Sequence, residues 1–132
     1  MAHQNPSRDE IKEILSNSDI IAVVGLSDKP DRISYMVSEA MMAKGYTIIP
    51  VNPNANEILG QKSYATLKDI PVSVDIVNVF RRPEHTPPVA EEAAAIGAKT
   101  LWLQLGIANE EAADIASAAG MNVIMDRCIK VE

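Results

Sequence analysis

The chain has 132 residues, of which 47% are hydrophobic, enough for one compact domain that buries roughly two-thirds of the surface of its unfolded chain. A formal net charge of −6 excludes the broad basic face that nucleic acid requires, but it leaves room for a local cationic pocket. Cys128 is the single cysteine, and no apolar run suits a signal peptide or a membrane span, so we expect a cytoplasmic chain without membrane contact.

Strand-like and helical patterns alternate along the chain. A capping box of Ser7 and Glu10 predicts an N-terminal helix at about 7–16. Apolar runs, each followed by a turn signal, predict five strands at residues 20–24, 46–51, 74–80, 100–104 and 121–125. Between them, helical spacing and capping residues predict helices at 33–44, 83–96 and 109–119. Residues 52–72 are predicted as one long irregular connection with a single helical turn near 67–69.

This alternation predicts the fold class. Strands that alternate with helices indicate an α/β fold, a doubly wound parallel five-stranded sheet with right-handed crossovers and helices on both faces. Numbering the strands in chain order, we expect the order 3-2-1-4-5. Residues 1–132 are treated as a single domain.

The loop after the first strand is the strongest functional signal. The apolar run at 20–24 leads into a glycine turn at Gly25 and then into a basic, hydroxyl-bearing loop with Ser27, Lys29, Arg32 and Ser34. A strand, a glycine turn and a helix start together place backbone N–H groups where an anion can bind. The second and third glycines of the dinucleotide fingerprint are missing, however, which predicts a nucleotide-type site that is not an ordinary NAD site.

More candidate ligand-binding residues follow the other strands, because ligands of open α/β sheets gather at the carboxyl ends of the strands. Arg81 and Arg82 follow the third strand directly, and two adjacent cations are costly unless anions neutralise them. Phe80 is a candidate for contact with a base. Further candidates are Asn52, Pro53 and Asn54 after the second strand, Pro83 after the third, and Gly106 after the fourth.

Other features of the sequence disfavour an NAD site and a catalytic site. The second strand ends in Asn52-Pro53, where a NAD site normally has an acid for the ribose hydroxyls. His3 lies in the N-terminal tail, and for His85 a surface role is favoured over general-base chemistry. Cys128 is interpreted first as a small buried hydrophobe. We find no metal site and no convincing catalytic constellation.

Several stretches taken together resemble a known family. Over residues 20–130 the chain resembles the small coenzyme A-binding proteins of bacteria and archaea, relatives of the N-terminal domain of the succinyl-CoA synthetase alpha subunit. The matching stretches are Gly25-Leu26-Ser27 with Pro30, Arg32 and Ser34, Gly45-Tyr46, Pro50-Val51-Asn52-Pro53, Glu57-Ile58-Leu59-Gly60, Val74-Asp75-Ile76-Val77, Phe80-Arg81-Arg82-Pro83-Glu84, Gly97-Ala98-Lys99, Trp102-Leu103-Gln104-Leu105-Gly106 and Met125-Asp126-Arg127-Cys128.

The resemblance implies a Rossmann-like fold with coenzyme A over the carboxyl edge of the sheet and its phosphates near the first loop. It implies four contact regions, with Ser27 and Lys29 in the first, Val51 to Asn54 in the second, Phe80 to Pro83 in the third, and Leu103 to Gly106, including Gln104, in the fourth. The phosphohistidine of the synthetase belongs to a second domain that this sequence lacks, so ligase catalysis does not carry over.

The sequence therefore favours a non-catalytic domain that binds coenzyme A or acyl-CoA. One alternative is an enzyme, either an NADP-type oxidoreductase or a subunit of an acyl-CoA ligase. Another is a thiol sensor in which Cys128 exchanges with the sulfur of the coenzyme. A homo-oligomer and a partner subunit both stay open.

Overall fold

The structure, a computed structural model, describes residues 3–131 of the chain. Helix α1 has the predicted capping box, in which Ser7 caps the helix and the Glu10 side chain accepts from the Ser7 N–H. The elements in chain order are α1 (Arg8–Ser16), β1 (Ile20–Val24), α2 (Ile33–Ala43), β2 (Thr47–Val51), β3 (Glu57–Ile58), β4 (Gln61–Lys62), β5 (Ile76–Val79), α3 (Thr86–Ala95), β6 (Thr100–Leu103), α4 (Glu110–Ala118) and β7 (Asn122–Ile124), with 3-10 turns at Leu67–Asp69 and Pro83–His85.

The main sheet confirms the predicted α/β fold class but corrects the predicted strand order. Its five strands are parallel and lie in the order β2-β1-β5-β6-β7, which is 2-1-3-4-5 in the numbering of the predicted strands. The expected order 3-2-1-4-5 was wrong because the third predicted strand pairs with β1 instead of lying beyond β2.

A contact between Asp75 and residues far earlier in the chain explains this pairing. The Asp75 carboxylate accepts from the N–H groups of Asp19 and Ile20 (2.8 and 3.0 Å), and the Asp75 N–H donates to the Ile20 carbonyl (3.0 Å). Lys99 forms an ion pair with the same carboxylate (3.6 Å). These contacts fix the start of β5 beside the start of β1, and the long connection after β2 has enough chain to pass across β1.

Residues 52–72 are more regular than predicted. They contain an antiparallel hairpin of β3 and β4, whose turn residues Leu59 and Gly60 both have positive φ (+55° and +72°), as a two-residue type I′ turn requires. Two-residue strands are too short to produce an alternating pattern, and leucine is an unusual turn residue, so the sequence did not indicate the hairpin. The predicted helical turn near 67–69 is confirmed as a 3-10 turn.

Helices cover both faces of the sheet, as predicted. On one face, α1 and α2 contribute to an apolar cluster around Ile21, Val23 and Trp102. On the other face, α3 and α4 bury alanines that are at most 1% exposed, and such small side chains let two helices pack closely over the sheet. Within residues 3–131, no helix combines the length and the apolar character needed to cross a bilayer.

The strand order determines where a ligand crevice can form. From β1 the chain continues through α2 to β2 on one side, whereas from β5 it continues through α3 to β6 on the other. The switch point therefore lies between β1 and β5, and doubly wound folds bind ligands outside the carboxyl ends of the strands at this point.

The Asp75 contact generates a prediction about stability. We expect Asp75→Asn to lower the free energy of unfolding at neutral pH by about 1–2 kcal/mol, because a neutral amide oxygen is a weaker acceptor for the two N–H groups than a carboxylate oxygen. Burial alone would raise the pKa of Asp75, but the two N–H donors and the Lys99 ammonium outweigh it, so this pKa lies below its usual value.

The pH dependence of unfolding by urea checks this assignment. The wild type should keep the Asp75 contribution above the unfolded aspartate pKa of about 3.9 and lose it as the pH falls through the lower folded pKa. Asp75→Asn should lack that part of the pH dependence, whereas Asp114→Asn, at an exposed position on α4, should follow the wild type. Equal acid sensitivity of Asp75→Asn and the wild type would contradict the assignment.

Candidate functional site

The site is organised by the close approach of Gly25 to the end of β5. Gly25 has a φ of +87°, and a Cβ at this position would lie 2.5 Å from the Phe80 carbonyl oxygen. The Gly25 N–H donates to the Val51 carbonyl (3.1 Å), and the Phe80 N–H donates to the Val24 carbonyl (2.9 Å). The carboxyl ends of β1, β2 and β5 are thereby held together at one point, and only glycine fits there.

Side-chain hydrogen bonds fix the loop that follows Gly25. The Ser27 N–H donates to Ser34 Oγ (3.0 Å), and the Lys29 N–H donates to Ser27 Oγ (3.1 Å). Asn52 Nδ2 donates to the Leu26 carbonyl (3.0 Å). These bonds hold the loop in one conformation before any ligand arrives, and they assign the two serine hydroxyls a part in shaping the loop.

The first turn of α2 opens beside this loop. Arg32 is the N-cap residue, its side chain makes no capping bond, and the first turn has no acidic residue. By contrast, Ser7 and Asn109 cap α1 and α4 with their side chains. The N-terminus of a helix carries partial positive charge and unpaired N–H groups, so an uncapped one favours an anion. It faces a cavity of about 500 Å³, the first cavity, lined by Gly25, Ser27, Asp31, Arg32, Ile33, Ser34 and Phe80.

A second cavity lies on the other side of Gly25, beneath the start of α3. It has a volume of about 340 Å³ and is lined by Val24, Val51, Ala65, Thr66, Leu67, Arg81, His85, Pro88, Val89 and Glu92. Arg81 lines it, and Arg81 Nε lies 3.6 Å from the position of a Cβ on Gly25. This guanidinium therefore stands at the boundary between the two cavities.

Sequence analysis did not propose His85, Val89 and Glu92 as a group. Val89 and Glu92 lie on one face of α3, and His85, the N-cap residue of α3, lies one turn before Val89. Their spacing of four and three residues was the available signal. The Glu92 carboxylate accepts from the N–H groups of Leu67 and Lys68, so it also ties α3 to the 3-10 turn that closes the cavity.

The structure brings some of the predicted site residues together. Gly25, Ser27, Arg32, Ser34 and Phe80 share the first cavity, although Ser34 is buried. Val51 and Arg81 share the second cavity. A ligand role for each of these residues stays a prediction.

The other predicted residues lie apart from both cavities. Lys29, Pro53, Asn54 and Arg82 are exposed. The remaining four serve internal hydrogen bonds: Asn52 Oδ1 accepts from the Asn54 N–H, the Pro83 carbonyl from Asn109 Nδ2, Gln104 Oε1 from the Ile129 N–H, and the Gly106 N–H donates to Asp126 Oδ1.

Two further residues, Cys128 and His3, were considered in the sequence but not chosen as site residues. Cys128 is half-buried: it packs against the apolar cluster around Ile21, Val23 and Trp102, and it also lines a cavity. The His3 N–H donates to Glu110 Oε1 (2.6 Å), which attaches the N-terminal segment to α4. Among residues 3–131, no three side chains of His, Cys, Asp or Glu cluster as metal ligands would.

Comparison with known proteins agrees with this arrangement. Residues 19–132 match the family described as the CoA binding domain. The chain belongs to this family. The CoA-binding domain therefore includes the Gly25 turn, both cavities and all five strands of the main sheet.

Relatives show the domain both alone and within larger proteins. This chain is 58% identical to the uncharacterized protein YneT of Bacillus subtilis (strain 168), and the match covers 97% of this chain and 95% of that protein. A hypothetical protein from Pyrococcus horikoshii OT3 has the same fold, with a TM-score of 0.92, 36% identity, and coverage of 99% of this chain and 95% of the other.

A third relative is a ligase subunit. The domain is 27% identical to the alpha subunit of an ADP-forming acetate–CoA ligase II of Pyrococcus furiosus (strain ATCC 43587), covering 84% of this chain. It spans only 27% of that subunit. The domain is thus related to ligase subunits, and the activity of the whole ligase lies outside what this similarity shows.

The close approach of Gly25 predicts a large effect of one methyl group. We expect Gly25→Ala to lower the free energy of unfolding by about 3 kcal/mol or more, because the alanine meets the Phe80 carbonyl and also adopts a positive φ. Gly120→Ala is a matched control, since Gly120 has a φ of +81° with nothing within 4 Å of its Cβ position.

The control separates backbone strain from the steric contact. Gly120→Ala should cost about 1–2 kcal/mol, and urea denaturation of both variants measures the difference. Equal losses of stability would show that the contact with Phe80 is not tight.

Proposed function

We propose that this domain binds coenzyme A or an acyl-CoA at the carboxyl edge of its sheet and that it does so without catalysis. The observation that carries this proposal is the meeting of three positive groups at Gly25: the uncapped N-terminus of α2, the Arg32 side chain and the Arg81 guanidinium. Such a meeting of positive groups is unexpected in a chain with a formal charge of −6 unless an anion binds there.

The chemistry of coenzyme A suits this arrangement. Its diphosphate and its 3′-phosphate are strong acceptors for N–H groups, and a guanidinium can bind a phosphate through two parallel hydrogen bonds. The Gly25 turn lets a phosphate approach the backbone beside α2. Arg81, between the two cavities, is placed to contact a ligand that occupies both, and the exposed Lys29 and Arg82 add positive charge at the rim.

The end of β2 supports coenzyme A over NAD. A NAD site has a carboxylate there for the ribose hydroxyls, but this domain has Asn52, whose amide is already engaged with Leu26 and Asn54. An uncharged residue at that position accommodates a phosphorylated ribose. NADPH also carries such a phosphate, so an NADP-type oxidoreductase is the competing hypothesis.

The cavities support binding without catalysis. The lining of the second cavity includes one imidazole, His85. The Thr66 hydroxyl there donates to Asp69 (3.0 Å), and the Glu92 carboxylate accepts from two backbone N–H groups. With these groups engaged, the described lining lacks the nucleophile–base pair that acyl transfer requires.

The similarity to a ligase alpha subunit raises a second candidate, a subunit of an acyl-CoA ligase. In that case a partner subunit would supply the catalytic groups, whereas a binding domain alone would act by itself or as a homo-oligomer. Both hypotheses place the protein in the cytoplasm. Co-purification with the tagged full chain, followed by an assay of acyl-CoA synthesis from the acid, ATP and coenzyme A on the purified material, distinguishes them. We expect neither a partner subunit nor acyl-CoA synthesis.

Isothermal titration with coenzyme A tests the proposed function. The wild type should bind, and Arg81→Gln should weaken binding by about tenfold to a hundredfold, as expected for the loss of a charge-assisted contact to phosphate. Lys12→Gln is the matched control, because it removes one positive charge from an exposed position on α1, and it should leave the affinity unchanged.

Thermal shifts with nicotinamide nucleotides can contradict the proposed function. Thermal shifts with NADPH and NADH, measured beside coenzyme A, should be small or absent. Stabilisation by NADPH with no response to coenzyme A would replace the proposal with the oxidoreductase, and no response to any of the three would reject a nucleotide site at this edge.

A further inference from the structure

A third cavity lies farther along the same carboxyl edge, beside the ends of β6 and β7. Its volume is about 460 Å³, and it is lined by Asn5, Arg8, Leu105, Met125, Asp126, Arg127, Cys128 and Val131. Two of the exposed large hydrophobic side chains, Leu105 and Val131, lie at this cavity and are 68% and 74% exposed. Neither Gly25 nor Arg81 lines it, so it is separate from the two cavities described above.

Hydrogen bonds from distant parts of the chain build the cavity walls. Asn5 binds the backbone of Met125 twice, through Nδ2 to the carbonyl (2.8 Å) and through Oδ1 from the N–H (2.9 Å). The Gly106 N–H donates to Asp126 Oδ1 (2.7 Å), and the Asp126 N–H donates to the Ile107 carbonyl (3.0 Å). Since both terminal segments and the loop after β6 are tied together, the cavity is formed before a ligand binds.

The lining combines apolar walls with positive charge. Leu105, Met125 and Val131 supply the apolar surface, and Arg8, exposed at the start of α1, supplies the guanidinium group. Arg127 and Asp126, one basic and one acidic side chain, also line the cavity, and Asp126 accepts a hydrogen bond from the Gly106 N–H. A short carbon chain that ends in a carboxylate matches this combination, because methylene groups favour the apolar wall and a guanidinium binds a carboxylate with two hydrogen bonds.

The position of the third cavity indicates how an acyl group would reach it from a coenzyme bound at Gly25. β7 is three strands from β1 in the sheet, so its end lies about 14 Å from the Gly25 turn that follows β1. A coenzyme whose phosphates bind at Gly25 would extend its flexible arm along this edge, past Gly106. We infer that the third cavity binds the acyl end of an acyl-CoA and selects a short acyl group with a terminal carboxylate. This inference rests on the proposed function.

Malonyl-CoA and propionyl-CoA test the inference, because their acyl groups have the same number of carbons and differ in the terminal carboxylate. In isothermal titrations of the full chain, malonyl-CoA should bind about tenfold more tightly than propionyl-CoA, equivalent to roughly 1.4 kcal/mol. Arg8→Gln should abolish this preference while leaving the affinity for coenzyme A unchanged. Lys12→Gln, a loss of the same charge on the same helix outside this cavity, should keep the preference.

A second variant keeps the test independent of Arg8. Leu105→Glu places a negative charge at a position where the native side chain is 68% exposed, so folding should tolerate the substitution. It should weaken the binding of malonyl-CoA more than the binding of propionyl-CoA. Equal affinities of the wild type for the two acyl-CoAs, or a preference that survives both substitutions, would overturn the inference while coenzyme A binding stands. Failure of coenzyme A itself to bind would instead reject the proposed function, and the inference with it.

Discussion

The approach of Gly25 to the Phe80 carbonyl is the contact on which the candidate site depends. β1 and β5 run in parallel, and their carboxyl ends are joined by the hydrogen bond from the N–H of Phe80, the residue after β5, to the carbonyl of Val24, the last residue of β1. Any side chain at position 25 would push these strand ends apart. Because the α2 N-terminus follows from one strand and Arg81 from the other, this contact also sets the distance between the positive groups at the edge.

The loops around this contact are ordered by the chain itself. Ser27, Ser34 and Asn52 are committed to hydrogen bonds within the loops, which reduces the conformational freedom that binding would otherwise have to remove. Several polar residues that look like ligand contacts in the sequence therefore stabilise the loops. In this account the direct contacts with phosphate fall to backbone N–H groups and arginine side chains, whereas the serines maintain the loop that presents them.

Local features of the sequence were enough to predict the strands of the main sheet and the helices, but they did not predict the β3–β4 hairpin or the long-range contacts. Apolar runs located the five strands of the main sheet, and Gly25 and the basic loop led us to predict a site at the carboxyl edge of that sheet. The strand order was wrong because it depends on the Asp75 carboxylate meeting the N–H groups of Asp19 and Ile20, more than 50 residues earlier in the chain. No local pattern reports such a pairing.

Long-range contacts also determine the settings of the site residues, which local sequence patterns did not predict. Gln104 looked like a ligand contact, but its side chain is buried against the Ile129 N–H. The third cavity was invisible in the sequence because its walls come from Asn5 and Arg8 at one end of the chain and residues 125–131 at the other. Spacing along a helix could have indicated His85 and Glu92, since that information is local.

The binding mode can be measured in a crystal structure of the chain with coenzyme A. We expect phosphate oxygens within hydrogen-bonding distance of the first-turn N–H groups of α2 and of the Arg81 guanidinium, with the Gly25 turn unchanged. Coenzyme A bound elsewhere on the surface, or bound at this edge with its phosphates turned away from both groups, would contradict this binding mode.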